Sequence, residues 1–414
     1  MRWSLLICCA AITACVREQP SAAAPLLYVW AGDADTAQPD FLAVIDADTA
    51  SATYGRVMHT APVDSRSNGP HHTEHDLTGN TLYANGWGSG RTFVFDVSDR
   101  QQPRLLRSFD SAGTWRYPHS FARLPNGNVL ATFQSSGDSG YTASGGLVEL
   151  DSANHVVRAV SGAAPGIPAN ETWTYSLLVL PDLDRIVSTN TRMGMSPRRE
   201  AALHAAHRHV APDVPSFHVQ IWRLSDLTLL STVRLPDVPG GQNANVAEAR
   251  RTANGEVFVN TFSCGVFRIH GLMTNAPRAE AVFTAPFRDP GYCAVPVVLG
   301  NYWIQPQATE RAIVSLDMSD PGRPREVSRI TLDSTLSDPH WLGLDSAGGR
   351  IVATSSGQPW VMMLTVDRAT GRLAIDQRFG DGSGARAGVI SFDRAAWPHG
   401  ESGRARPHGA VFTR

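Results

Sequence analysis

One histidine-containing segment returns along this chain and marks the start of a repeated unit. The segments are Pro70-His71-His72, Pro118-His119, Pro339-His340 and Pro407-His408. About ten residues after each of the first three come a turn and a β-rich run, namely Thr81 to Ala84, Asn128 to Ala131 and Arg350 to Ala353. The fourth segment meets the C-terminus before a second strand. Such a repeat predicts one supersecondary unit that is copied many times.

The repeated units have the size and strand content of propeller blades. Each holds four short apolar runs within roughly 40 to 60 residues, and hardly any helical period interrupts them. A lone blade would leave both apolar faces wet, so neighbouring units must stack in a ring. Residues 408–412 supply the first strand that the N-terminal runs Leu26 to Trp30 and Phe41 to Asp46 lack.

These observations predict an all-β fold, a seven-bladed β-propeller that is closed by joining the two termini in one blade. The propeller is expected to form a single domain over residues 25–414. Six or eight blades, a pair of β-sandwiches and a β-helix are the alternatives. A sandwich does not usually repeat as four-strand units with a matching terminal half-unit.

The first 24 residues are expected to be an export leader and a short tether. An apolar run from Leu5 to Ala14 is too short to span a bilayer, and it ends at Ile12-Thr13-Ala14-Cys15. That ending resembles the lipobox of bacterial lipoproteins, in which the cysteine is acylated. The alternative is a secretory signal that is cut near Ala22-Ala23-Ala24. Both interpretations predict a periplasmic or cell-surface protein, and the first adds a lipid anchor at Cys15 as its only membrane contact.

The charge balance gives no support for a nucleic-acid surface. The formal net charge is -2 and charged residues make up 18% of the chain, whereas nucleic-acid binding favours concentrated basic charge.

The recurring histidines are predicted to share one mouth of the propeller channel, because the first strand of every blade lines that channel. We expect a transition-metal site there, since imidazole suits copper, zinc, iron or nickel. The absence of carboxylates in register argues against calcium or magnesium. The competing interpretation is that each histidine only caps a turn. The candidate ligands are His71, His72, His119, His340 and His408.

A second group of residues is placed around that mouth. The insertion 192–217 is expected to hang over it as a lid with one helix, Arg198 to His209, and to carry His204, His207 and His209. These lid histidines either approach the metal or are solvated. His75, His218 and Glu74 are further candidates for the shell around the ligands.

Two cysteines remain after the leader, Cys264 and Cys293, and they fall on the same face in adjacent blades. An exported chain with two cysteines predicts one disulfide. A thiolate ligand or a redox thiol is the alternative. No serine nucleophile elbow, phosphate loop or dinucleotide fingerprint occurs in a proper setting, so no catalytic residue is assigned.

The same residues bring a family into view: the sequence resembles the selenium-binding protein (56 kDa type) and methanethiol oxidase family. The likeness covers most of the chain after the leader, and it is loose. It is carried by Pro39 to Asp48, the pair His71-His72, Pro118-His119-Ser120, Gly145 to Asp151, Ala163 to Gly166, Phe217 to Trp222 and Ser319 to Arg325. The family's cysteine pair after the histidine pair is missing, since Thr73 to Thr92 contains no cysteine. That departure argues against selenium binding through such a thiol.

The resemblance implies a propeller and, for bacterial members, a periplasmic copper-dependent oxidase that converts methanethiol and O2 to formaldehyde, hydrogen sulfide and hydrogen peroxide. Our leading hypothesis is therefore an exported copper oxidase acting on a small thiol, with another transition metal as the alternative cofactor. A propeller that binds or delivers copper or selenium without turnover is a second hypothesis. A lactonase-like propeller hydrolase is a third, because fold alone cannot separate these functions.

Overall fold

A computed structural model of the chain describes residues 24–137, 143–193, 214–286 and 292–413. Its regular structure is almost entirely β. In chain order the first strands are β1 (Leu26–Asp33), β2 (Phe41–Asp46), β3 (Val57–Pro62), β4 (Pro70–Thr73), β5 (Thr81–Gly86), β6 (Arg91–Asp96), β7 (Arg104–Phe109), β8 (Ser111–Ala112), β9 (Trp115–Arg123), β10 (Val129–Ser135), β11 (Gly146–Leu150) and β12 (Val156–Ser161).

The middle of the chain continues the pattern with β13 (Thr174–Leu180), β14 (Arg185–Asn190), β15 (His218–Arg223), β16 (Leu229–Arg234), β17 (Val246–Arg251), β18 (Val257–Thr261), β19 (Gly265–His270), β20 (Arg278–Thr284), β21 (Val297–Leu299), β22 (Tyr302–Gln307), β23 (Ala312–Asp317) and β24 (Arg325–Thr331).

The last strands are β25 (Pro339–Asp345), β26 (Arg350–Ser355), β27 (Trp360–Val366), β28 (Leu373–Ile375), β29 (Val389–Ser391), β30 (Asp393–Arg394) and β31 (Gly403–Phe412). Helical geometry in the described residues is confined to the short 3-10 turns Ala169–Glu171, Pro181–Leu183, Pro239–Gly241 and Gly384–Arg386. None of the helices described is long and apolar enough to cross a bilayer.

The strands form seven antiparallel sheets, which confirms the predicted seven-bladed propeller. From the channel outward, blade 1 is β4 to β7, blade 2 is β9 to β12 with the short β8, blade 3 is β13 to β16, and blade 4 is β17 to β20. Blade 5 is β21 to β24, and blade 6 is β25 to β28 with β29 added. Blade 7 has the order β31, β1, β2, β3, so the C-terminal strand is innermost in a sheet whose other main strands are N-terminal.

The innermost strands of the blades contact one another in a closed ring, in the order β31, β4, β9, β13, β17, β21, β25 and back to β31. This ring encloses the channel. The pairing of β1 with β31 over Leu27↔Phe412 to Asp33↔Ala405 links the two ends of the described chain within one blade and so closes the ring.

Burial falls from the channel outward within each blade. The three inner strands are almost wholly buried because both of their faces pack on neighbouring blades. In outer strands such as β7 and β24 the residues are exposed or half-buried. Tryptophans tie neighbouring blades together. The Trp30 indole N–H donates to the Asn85 carbonyl of blade 1, and that of Trp341 donates to the Ala410 carbonyl of blade 7, at 2.9 and 2.8 Å.

Candidate metal centre

The five predicted histidine ligands come together in the channel. His71 and His72 lie on β4, His119 on β9, His340 on β25 and His408 on β31, the innermost strands of blades 1, 2, 6 and 7. These four blades are consecutive around the ring. All five side chains are buried.

His71 is the centre of the group. Its ring centroid lies 4.2 Å from that of His408, 4.3 Å from His72, 4.9 Å from His119 and 6.0 Å from His340. Two sets of three rings have ligand nitrogens within 4.8 Å of one another, His71 with His72 and His119, and His71 with His340 and His408. The structure thus forms two overlapping triads that share His71.

Four of the rings point a nitrogen at space with no hydrogen-bond partner among the described residues. These atoms are His71 Nδ1, His119 Nε2, His340 Nε2 and His408 Nδ1. Buried polar atoms are rarely left unpaired, so these four ring nitrogens indicate a binding site for a metal ion or another electrophile.

A backbone contact sets the orientation of one of these rings. His119 Nδ1 lies 2.8 Å from the Tyr175 carbonyl oxygen, which can only accept, so Nδ1 carries the proton and Nε2 keeps its lone pair. The His408 ring centroid lies 4.2 Å from that of His71, and its Nδ1 has no partner among the described residues. Such outer contacts orient metal-binding imidazoles in proteins.

The rings are neutral near pH 7. Burial lowers the pKa of His119 to about 3 and that of His340 to about 4. Burial, followed by repulsion from neighbouring imidazoles, holds the pKa values of His71, His72 and His408 well below their usual range. Neutral imidazole is the form that binds a metal.

His72 is held differently from the other four. Its Nδ1 lies 3.2 Å from the Ser120 hydroxyl, and its Nε2 lies 3.4 Å from the Tyr175 hydroxyl. Its ring also meets Trp341 edge-on at 4.7 Å. Both ring nitrogens of His72 thus have polar neighbours, whereas each of the other four rings has one nitrogen without a partner.

A buried carboxylate lies beside the cluster, although we expected no carboxylate at the position of the repeat that the histidines occupy. Glu248 on β17 has an oxygen 3.9 Å from His72 Nδ1, and it accepts hydrogen bonds from Arg250 at 2.8 Å and from the Ser176 hydroxyl at 2.5 Å. Burial raises its pKa, but Arg250 and His75 outweigh that effect and hold the value at about 2. Glu248 is therefore an anion inside the channel.

Sequence reasoning missed Glu248, Tyr175 and Trp341. The signal was present for the first two, because blades 3 and 4 begin with Tyr175-Ser176 and Ala247-Glu248 where blade 1 has His71-His72. The search for a repeated histidine passed over the blades in which other residues occupy that position.

The outer-shell candidates are scattered. His75 stacks on Trp341 at 4.5 Å and lies 3.7 Å from Glu248, so it contacts residues beside the cluster. Glu74 accepts hydrogen bonds from Arg123 and from the Tyr83 backbone instead of meeting a histidine ring. His218 lies on the third strand of blade 3, 3.4 Å from Glu171. His204, His207, His209, the lid helix and Cys15 lie outside the described residues.

The two cysteines are joined. Cys264 and Cys293 form a disulfide with a Cα–Cα distance of 5.0 Å, and it links the β18–β19 turn of blade 4 to the segment before β21. The next residue back, Tyr292, places its hydroxyl 3.4 Å from His340 Nδ1 and stacks on Phe262 at 5.3 Å.

A cavity of about 580 Å³ opens above the histidines. His71, His340 and His408 form part of its floor. Trp87 and Ser356 belong to its wall, and both lie in turns between second and third strands, as expected for this face of the channel. Three candidate ligands are thus reachable from outside the ring.

This donor set fits a transition metal. Buried, neutral imidazoles from four blades offer unpaired nitrogens and suit copper, zinc, iron or nickel. The fold and the site together define a β-propeller with a polyhistidine centre at one channel mouth.

Sequence comparisons support the family expected from the sequence. No protein-family profile matches the chain. A methanethiol oxidase of Ruegeria pomeroyi is 31% identical over 123 residues, 28% of either chain, and selenium-binding protein 3 of Arabidopsis thaliana is 29% identical over 166 residues, 33% of this chain and 34% of the relative. Each match spans about a third or less of the relative's length.

Structural comparisons agree on the fold. A hypothetical selenium-binding protein of Sulfolobus tokodaii superposes with a TM-score of 0.72 at 15% identity, covering 94% of this chain and 93% of the other. A periplasmic gluconolactonase of Pseudomonas aeruginosa gives 0.62 at 11% identity, covering 94% and 99%. At these identities the likeness shows a shared propeller.

Proposed function

We propose that this protein is an exported copper-dependent oxidase of the methanethiol oxidase type, which oxidises a small thiol with O2 at the polyhistidine centre. The observation that carries the proposal is the set of four buried, unpartnered imidazole nitrogens. Relatives named methanethiol oxidase support the reaction class. In the overall reaction, one methanethiol, one O2 and one water would give one formaldehyde, one hydrogen sulfide and one hydrogen peroxide.

The metal would be held around His71 by two triads: His71 with His340 and His408 on the cavity side, and His71 with His72 and His119. Copper in this position would supply one-electron transfer between the thiol and O2. Histidine ligation accommodates both copper oxidation states, whereas zinc could bind but could not accept electrons.

The surrounding chain would keep the ligands ready. The Tyr175 carbonyl fixes the tautomer of His119. The Glu248 carboxylate would offset part of the positive charge that a metal brings into a buried site, because charges interact strongly where water is excluded. The cavity would admit the thiol to the side of the cluster formed by His71, His340 and His408.

The test begins with the purified mature protein, its metal content and its O2 consumption with methanethiol. The proposal predicts about one copper per chain, with turnover. Copper without turnover would identify a carrier, and lactone cleavage without O2 uptake would favour the hydrolase that the gluconolactonase-like fold also allows.

Ligand variants give the sharper result. His119→Ala and His340→Ala should lose copper and O2 uptake together. His155→Ala is the matched control, because His155 is outside the predicted ligand set and its side chain is 81% exposed. Copper retained in both ligand variants would mean that the donor set is wrong.

Export is a separate part of the proposal. A Cys15→Ala variant should move the protein from the membrane fraction to the soluble periplasmic fraction if the lipid anchor is correct. An unchanged distribution would remove the anchor and leave the oxidase proposal intact.

A further inference from the structure

The cavity above the histidines is much larger than a methanethiol site requires. Its volume is about 580 Å³, within the roughly 300–1,000 Å³ range of pockets that enclose ligands of drug size. Methanethiol has only two non-hydrogen atoms and would contact little of the wall. A substrate that uses the whole cavity must be several times larger.

The wall of the cavity is partly aromatic and apolar. Trp87, Tyr292 and Met193 line it. Trp87 is fixed by its backbone N–H, which donates to the Gly69 carbonyl at 3.0 Å. Gly69 has φ +62°, and a Cβ there would meet the Trp87 indole nitrogen at 3.0 Å, so the glycine leaves room for the indole. These walls favour a ligand with carbon atoms beyond the reacting group.

The rim carries charges of both signs. Arg406 on β31 and Asp33 on β1 lie one register step apart, since Gly32 pairs with Arg406 and Asp33 with Ala405. Both line the cavity. Arg406 is exposed, and no ion pair joins it to a carboxylate within the described part of the chain. A guanidinium fits a carboxylate, and a carboxylate fits an ammonium group.

We propose that the substrate is a thiol larger than methanethiol that carries both a carboxylate and an ammonium group, of the size of a cysteinyl dipeptide. Its sulfur would lie at the histidine floor, its carboxylate at Arg406 and its ammonium group at Asp33. This inference rests on the proposed oxidase function and names its substrate class.

The reaction of such a thiol balances in the same way. One primary thiol, one O2 and one water give one aldehyde, one hydrogen sulfide and one hydrogen peroxide. The C–S bond breaks, the carbon that carried sulfur loses two electrons, and O2 gains two electrons and two protons as peroxide. Water supplies the aldehyde oxygen.

The test compares four thiols: methanethiol, cysteamine with only an ammonium group, 3-mercaptopropionate with only a carboxylate, and cysteinylglycine with both. O2 uptake and the release of hydrogen peroxide give kcat/KM for each. We expect cysteinylglycine to exceed methanethiol by at least about tenfold, the effect of one charged hydrogen bond. A higher kcat/KM for methanethiol than for every other thiol would overturn the proposal.

Charge variants assign the two ends of the ligand. Arg406→Gln should lower the ratio of kcat/KM for 3-mercaptopropionate to that for cysteamine by about tenfold, and Asp33→Asn should raise the same ratio. Arg404→Gln is the matched control, because Arg404 is an exposed arginine of the same strand that bonds to Gln358 and does not line this cavity. Equal ratios in all three variants would refute the assignment.

A binding measurement separates this inference from the oxidase proposal. S-methylcysteinylglycine cannot react as a thiol, and calorimetry should show that it binds to the wild type and about tenfold more weakly to Arg406→Gln. Binding without oxidation of any thiol would refute the oxidase and keep the cavity assignment. Oxidation of methanethiol without binding of the peptide would support the oxidase and refute the cavity assignment.

Discussion

Removing the disulfide should lower the melting temperature by a calculable amount. Cys264 and Cys293 are 29 residues apart in sequence, and closing a loop of that length in the unfolded chain is worth about 3.6 kcal/mol in the chain-entropy treatment. The unfolding entropy of a 414-residue chain is about 0.9 kcal/mol per kelvin. If the ring unfolds as one cooperative unit, the melting temperature should fall by about 4 °C.

Differential scanning calorimetry with and without a phosphine reductant measures this shift. Both cysteines are fully buried, so reduction should occur as the protein unfolds, and a thiol assay after the scan verifies it. Cys264→Ala/Cys293→Ala is the control, because its melting temperature should not respond to the reductant. Equal melting temperatures for oxidised and reduced wild type would refute the idea that this link constrains the unfolded chain.

Three further changes test other parts of the structure. Burial raises the pKa of Asp40 to about 6, despite N–H bonds that act in the opposite direction. The folded state therefore holds this proton more tightly than the unfolded state, and the folded protein loses stability as the pH rises from about 4 to above 6. Asp40→Asn should thus remove this fall in the free energy of unfolding between about pH 4 and pH 7, as urea titrations would show, although its NH2 group cannot accept one of the two N–H bonds that Asp33 and Asn68 donate to the carboxylate. Glu248→Gln should lower the free energy of unfolding by about 3–5 kcal/mol, because Arg250 loses its buried partner. A loss below about 1 kcal/mol would contradict that pairing. Gly409→Ala should weaken copper binding and stability in equilibrium titrations, since its Cβ would lie 2.6 Å from backbone atoms of the neighbouring histidine strand, whereas Gly79→Ala, with open space around it, should change neither.

The propeller was predictable from the sequence because its information is local. Each blade has four short strands, turns between them and an apolar pattern, and these recur at similar spacing along the chain. The closure of the ring could be predicted from residues 408–412, an apolar run that follows the fourth histidine segment and resembles the first strand of a blade. The pairing of that strand with β1 follows from the need to cover the edge.

Much of the site's surroundings was not predictable, because it depends on which side chains face the channel across different blades. Glu248 comes from the blade almost opposite His408 in the ring, and only its position at the start of a blade, with no histidine there, marks it in the sequence. Glu74 is three residues from His71, but β4 ends between them and the chain turns its carboxylate toward Arg123. Closeness to a ligand in the sequence is therefore a poor guide to which side chains surround the histidines, because the direction of each side chain relative to the channel determines this.

The histidine centre also shows why a folded chain would retain such a costly arrangement. Each buried ring nitrogen without a partner destabilises the fold by about 1–3 kcal/mol, and the structure has four of them in one place. A turn-capping role would have satisfied these atoms, as the Tyr175 carbonyl satisfies the other nitrogen of His119. Burial also removes the protons that would compete for the lone pairs. A metal ion bound in either triad would satisfy some of these nitrogens, so the features that weaken the protein without metal are those that would stabilise it with metal.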